Sequence, residues 1–207
     1  MRKINLLASM VILIFVSAFL AGAGTLAWFS DTEKSKGNSF TAGSIDLKLD
    51  GGDSNVVKFT VANMHPGSQP KGTFVLSNVG TLTGYLDLEN IKVVDYENER
   101  IEPEKEAGDP TGGNPGKGKG ELSQVVNVRL FVDYDCNGWI SAGDNVFYNG
   151  LVCNLPASFD LNEPIPAGGS INIVAIFDWW STPMDSQAMT DSMEISITFE
   201  LGQTASQ

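Results

Sequence analysis

The run Asp133-Tyr134-Asp135-Cys136-Asn137-Gly138-Trp139-Ile140-Ser141-Ala142-Gly143-Asp144 places oxygen-bearing side chains at a spacing that suits a hard cation. Asp133, Asp135 and Asn137 fall at positions 1, 3 and 5 of a twelve-residue loop. Gly138 follows at position 6, where the chain must turn sharply. Trp139 at position 7 offers its backbone carbonyl, Ser141 its hydroxyl at position 9, and Asp144 the closing carboxylate at position 12. Ile140 at position 8 is expected to point into a core. This spacing predicts a calcium loop, because calcium takes a mixed shell of carboxylate, amide and carbonyl oxygens. Asp in place of the usual Glu at position 12 shortens the last ligand, so ligation there is weaker or runs through water. The flanking segments read as strands and not helices, which predicts a structural calcium and no sensor switch. Three carboxylates crowded into one turn repel each other unless a cation sits between them. The alternative is an Asp/Asn-rich hairpin that holds no ion.

Other chemistry is limited by composition. The chain has one histidine, His65, which excludes a zinc site built on two or three imidazoles. A Ser-His-Asp triad would need His65, and that residue falls in the turn Asn63-Met64-His65-Pro66-Gly67, where a satisfied turn residue is expected. No phosphate loop, nucleophile elbow or Asn-x-Ser/Thr sequon is present. Lys and Arg number 13 against 25 Asp and Glu, for a net charge of -12. That balance repels phosphate backbones and argues against nucleic acid as a partner. Two cysteines, Cys136 and Cys153, are expected to bridge, which in the chain-entropy account is worth about 3 kcal/mol; the alternative is a pair of free thiols. Trp179 and Trp180 end an apolar run and read as core and rim packing.

The elements that must position the loop alternate with period two. Met193, Ile195, Ile197, Phe199 and Leu201 face one way, while Ser192, Glu194, Ser196, Thr198 and Glu200 face the other. Val126, Val128, Leu130 and Val132 repeat the pattern, as do Ile45, Leu47 and Leu49, and Val57, Phe59 and Val61. Residues 171–180 are apolar on both faces, as in a central strand. Together with 73–79, 84–94 and 145–153 these make about eight strands. No amphipathic helix longer than about ten residues is predicted after residue 30. Asn78-Val79-Gly80 is a turn cluster. Glu97, Glu99, Glu102, Glu104 and Glu106 are expected on a solvated loop face, and 102–120 as a flexible surface loop. The fold expected is all-β, a two-sheet antiparallel sandwich of jelly-roll or immunoglobulin-like kind.

The chain opens with the basic Met1-Arg2-Lys3, an apolar stretch from Ile4, and small residues up to Ala27. That order describes a secretory signal peptide, with cuts after Ala23 or Ala27 both fitting. An uncleaved anchor is the alternative, since Ile4 to Phe29 is uncharged and long enough to span a bilayer.

The block Trp28-Phe29-Ser30-Asp31-Thr32-Glu33-Lys34-Ser35-Lys36-Gly37-Asn38-Ser39-Phe40-Thr41-Ala42-Gly43-Ser44-Ile45-Asp46-Leu47 resembles the mature start of the TasA/camelysin family. That family comprises secreted biofilm-fibre proteins and their archaeal relatives, the bundling pilins. Further similar stretches are Met64-His65-Pro66-Gly67-Ser68 with Gly72-Thr73-Phe74-Val75-Leu76-Ser77-Asn78-Val79-Gly80, the Asp-rich loop before Val146-Phe147-Tyr148-Asn149-Gly150, and Ile197-Thr198-Phe199-Glu200. The resemblance implies a jelly-roll subunit over 39–207, exported and cut between Ala27 and Trp28 by a dedicated signal peptidase. It implies membrane contact only before cleavage. It also implies a homopolymer built head to tail by donor-strand complementation, with 28–38 (Trp28, Phe29, Ser30, Asp31, Thr32, Glu33 and Lys34 foremost) pairing into the next subunit's sheet. The product is an extracellular filament of the biofilm matrix and not an enzyme. The family label also carries a metallopeptidase assignment, from which a chain with one histidine departs. A calcium-stabilised secreted or cell-surface binding module that does not polymerise is the alternative function.

Overall fold

The computed structural model describes residues 30–31, 44–53, 56–99, 101–109 and 116–205 of the chain. The expected signal peptide and its Ala27–Trp28 cut, and Phe29, Thr32, Glu33 and Lys34 of the expected donor segment, lie outside the described residues. Eleven strands, numbered in chain order, form two antiparallel sheets among the described residues. One sheet holds β1 (Ser30–Asp31), β3 (Val56–Ala62), β5 (Gly84–Glu97), β6 (Gly116–Lys117), β9 (Phe159–Ile165) and β11 (Ser192–Gly202). The other runs β2 (Leu47–Leu49), β4 (Lys71–Asn78), β10 (Ser170–Trp179), β7 (Val126–Asp133) and β8 (Asn145–Leu151). The expected all-β sandwich is the architecture found.

The period-two pattern decides which faces meet. Met193, Ile195, Ile197, Phe199 and Leu201 of β11 are all buried, and so are Val128, Leu130 and Val132 of β7. Across the sandwich Phe74 of β4 meets Phe199 of β11 with ring centroids 5.9 Å apart. β10 is central in its sheet, between β4 and β7. Its second face accounts for its apolar sequence: Val174 and Ile176 form a separate small buried cluster with Phe131. Trp179 is buried and donates its indole N–H to Asp185 at 2.7 Å, while Trp180 is exposed.

Strand β9 was invisible to alternation. Asn162 adopts a positive φ of 51° within it, Pro164 interrupts its donors, and its register against β5 shifts between Leu86 and Leu88.

The turn at Asn78 ties the two layers. Its fully buried side chain donates to the carbonyls of Leu82 (2.7 Å) and Ile165 (3.0 Å) and accepts from the N–H groups of Gly80 and Asp46. Gly80 is there because a Cβ would stand 2.3 Å from the Ser44 carbonyl oxygen.

The described residues of the stretch expected as a flexible loop, 102–109 and 116–120, include regular structure. Glu102–Glu106 is a short helix (α1), opened by Pro103 in its first turn, and Leu122–Val125 (α2) follows the β6 pairing with the end of β5. Glu97 and Glu104 are buried, whereas Glu99, Glu102 and Glu106 are exposed as a solvated face requires. The strand pattern hid this, because Asn90, at a φ of 53°, falls where the pairing of β5 with β11 slips and changes the phase of the strand.

Candidate metal centre

Asp133 ends β7 and Asn145 opens β8, with Val132 opposite Asn145, so the Asp-rich run is the connection of a hairpin. Oxygens of Asp133, Asp135 and Asp144 come within 4.8 Å of one another. Asp133 is buried. Its two oxygens accept from the N–H groups of Asn137 (3.3 Å) and Gly138 (2.8 Å), which curls the loop around the carboxylate. Asp135 accepts from the side-chain amide of Asn137 (2.8 Å) and the hydroxyl of Ser141 (2.9 Å). Asp144 accepts from Ser141 N–H (2.7 Å) and Tyr134 N–H (3.1 Å), and the first of these leads in holding its carboxyl below the usual range. The turn needs left-handed backbone at Cys136 (φ 58°) and Gly138 (φ 74°).

The loop folds back over the sheet to β4. Lys71 donates to the Gly138 carbonyl at 3.2 Å and stands 4.2 Å from the centre of the Trp139 ring, a cation–π contact. Trp139 and Ile140 are both exposed, and Ile140 does not enter the core as its loop position suggested. The arrangement gathers three carboxylates on donor-rich backbone. It suits an oxygen-loving divalent cation, with Asn137, Ser141 and the Trp139 carbonyl as further candidate ligands.

The structure holds no Cys136–Cys153 bridge; both thiols are free and exposed. The register explains why. Val132 faces Asn145 at the loop end of the β7–β8 hairpin, and Asn127 faces Leu151 at the other. Cys136 lies in the connecting loop and Cys153 just past Leu151, so the seven residues of β8 run between them along the chain. A disulfide tolerates Cα atoms no more than about 7 Å apart.

A second acidic group was not legible in the sequence. Glu97 at the end of β5, Glu104 of α1, Asp109 beyond it, Glu121 before α2 and Asp191 before β11 are all buried. Their oxygens fall into two triads within 4.8 Å, Glu97–Asp109–Glu121 and Glu97–Glu104–Asp191. Burial, then the neighbouring charges of Asp191, Asp109, Glu97 and Asp95, push Glu121 up to about 7. Burial likewise pushes Asp191 up to about 7, against the N–H it accepts from Glu121 at 2.6 Å. These residues come from five separate stretches with no shared spacing, so no motif announces them.

A family model described as camelysin metallo-endopeptidase matches residues 4–112, a stretch that includes β5 and α1. No curated protein matches the chain. The description names a metal-dependent peptidase. The described residues do not fit an imidazole-ligated catalytic zinc: His65 is exposed in its turn, with Nδ1 against the Pro66 carbonyl at 3.1 Å. The groups able to hold a metal among the described residues consist of carboxylates alone, with neither His nor Cys, a donor set for calcium or magnesium.

Proposed function

The chain belongs to the camelysin family, and from that premise we propose that it is the repeating subunit of an extracellular filament and not a peptidase. The observation that carries this reading is the place of β1. One side of β11 is filled by β5, and the other by β3 from Ser192 to Thr198. Beyond Thr198, where β3 stops, β1 takes over that second side, with Asp31 opposite Leu201 and Ser30 opposite Gly202. The N-terminal segment thus supplies the strand that an otherwise open edge requires. In a filament the same slot takes the N-terminal segment of the neighbouring subunit, Trp28 to Lys34. Main-chain hydrogen bonds then give affinity and the apolar Trp28 and Phe29 set the register. Such a contact is head-to-tail and open, so it propagates.

The chain is exported through its leader, cut between Ala27 and Trp28 by a signal peptidase, and free of the membrane thereafter. Calcium held by Asp133, Asp135, Asn137, the Trp139 carbonyl, Ser141 and Asp144 stiffens the β7–β8 hairpin. The second reading is a monomeric calcium-stabilised surface module. The pairing of Ser30 and Asp31 with their own chain's β11 favours it. Electron microscopy of the purified chain separates the two: filaments support the subunit reading, and dispersed monomers at concentrations where the leader is removed support the module.

A further inference from the structure

The two carboxylate triads that share Glu97 lie at the other sheet from the calcium loop, where the ends of β5 and β11 meet α1 and the start of α2. Glu97, Glu104, Asp109, Glu121 and Asp191 are between 0% and 5% exposed. Carboxylates taken out of water need either protons or a cation, because uncompensated burial of charge costs far more than a fold can supply. Two of the oxygens, Glu121 Oε2 and Asp191 Oδ1, are buried with no hydrogen-bond partner. Both belong to carboxylates whose oxygens sit within 4.8 Å of two others. A buried acceptor left open costs stability unless something is there to meet it.

The backbone is shaped to keep this space. Gly120 has its Cβ position 2.8 Å from Asp191 Oδ2 and from the Tyr96 carbonyl oxygen, so any larger residue would close the approach of Asp191 to the chain before α2. Three further oxygens are held in place. Glu104 accepts from Ile101 N–H at 2.6 Å and from the Thr190 hydroxyl at 3.1 Å, and Asp191 Oδ2 accepts from Glu121 N–H. Of the described basic residues nearest in sequence, Lys105 pairs with the exposed Glu102 at 2.7 Å, and Lys117 and Lys119 are exposed.

We propose that Glu97, Glu104, Asp109, Glu121 and Asp191 form a buried divalent-cation site of the calcium class, with Glu97 common to both triads. The donors are oxygen only and carry charge well beyond that of one monovalent ion, which selects a hard divalent cation over zinc or copper. The cation ties the helical insertion between β5 and β7 to the start of β11. This site does not rest on the filament reading or on the loop between β7 and β8.

The test uses calcium chloride as the probe on the purified chain carrying Asp133→Ala and Asp144→Ala, which removes the loop site. Native mass spectrometry and thermal melting are read in calcium and in chelator. The site predicts that this variant still binds calcium and melts several degrees higher with it. Adding Asp191→Asn abolishes both the bound calcium and the shift. Glu121→Gln serves as the second variant, because its Oε2 has no hydrogen bond to lose, and it is expected to weaken binding at least tenfold. A folded loop-deficient chain that binds no calcium and melts alike in both buffers overturns the proposal. So does calcium binding that survives unchanged in both Asp191→Asn and Glu121→Gln.

Discussion

Cys136 and Cys153 stand at opposite ends of the β7–β8 hairpin, with the whole of β8 between them. Both thiols are exposed. Alkylation of the unfolded chain without reductant is expected to label both cysteines, and Cys136→Ser with Cys153→Ser to leave the melting temperature unchanged within about a degree, as surface substitutions do. A cross-linked peptide joining the two within one chain would contradict the register described here.

The calcium proposed for the loop from Asp133 to Asp144 carries a separate prediction. A ligand that binds only the native state at a hundred times its dissociation constant stabilises by about 2.7 kcal/mol. For a chain of this size that raises the melting temperature by roughly 5–10 °C. Asp133→Ala with Asp144→Ala is expected to remove the loop's share of that rise. The mass of bound calcium should fall by one ion in the same variant. Identical calcium-dependent shifts in parent and variant would dismiss the loop as a metal site.

The sandwich was legible because most of its strands bury one face. The alternation of Met193 to Leu201 survives intact in β11, and the central β10 announced itself by being apolar on both sides. The loop from Asp133 to Asp144 was legible because all its candidate ligands lie in one stretch of chain. The burial of Glu97 and Glu104 was not, since it depends on a phase change near Asn90 and on partners, Glu121 and Asp191, far away in sequence. The place of Cys136 and Cys153 in the hairpin was not legible either. Proximity of two cysteines along the chain says little when a full strand of a hairpin runs between them.

Asn78 and Gly80 test the corner that joins the sheets. Asn78→Ala removes the donor from the buried Ile165 carbonyl and the part-buried Leu82 carbonyl, and the acceptor from the N–H groups of Gly80 and Asp46. The expected cost is about 3 kcal/mol, read by denaturant unfolding. Gly80→Ala drives a Cβ to 2.3 Å from Ser44 O, whereas at Gly72 the nearest atom is 4.0 Å away. The alanine at 80 is therefore expected to destabilise clearly more than the alanine at 72. Equal costs at the two positions would show that the corner relaxes.

The buried carboxylates fix the sign of a pH dependence. Glu121 and Asp191 have folded-state values near 7, above those of the unfolded chain. The native state therefore holds protons that the unfolded state has released. In chelator their contribution to stability is full below about pH 4 and is lost as pH rises through about 7. Melting temperatures in chelator are expected to fall from pH 5 to pH 8, and Asp191→Asn to flatten that fall. With calcium present the slope should shrink or reverse, since the cation replaces the protons. A chelator profile that rises over this window would contradict the assignment.

The central claim is that the N-terminal strand of one subunit fills the β11 edge of the next, and an exchange experiment reads it directly. Ser30 and Gly202 are opposed across the β1–β11 pair. In a background with Cys136 and Cys153 replaced by Ser, one chain carries Ser30→Cys and another Gly202→Cys, and the two are mixed, assembled and oxidised. Strand donation predicts disulfide-linked pairs of the two different chains within filaments, and neither pairs nor filaments when residues 28–36 are deleted. If cross-links form only when both cysteines are on the same chain, or if the deleted chain still makes filaments of unchanged appearance, the N-terminal strand serves its own subunit and the account of assembly is wrong.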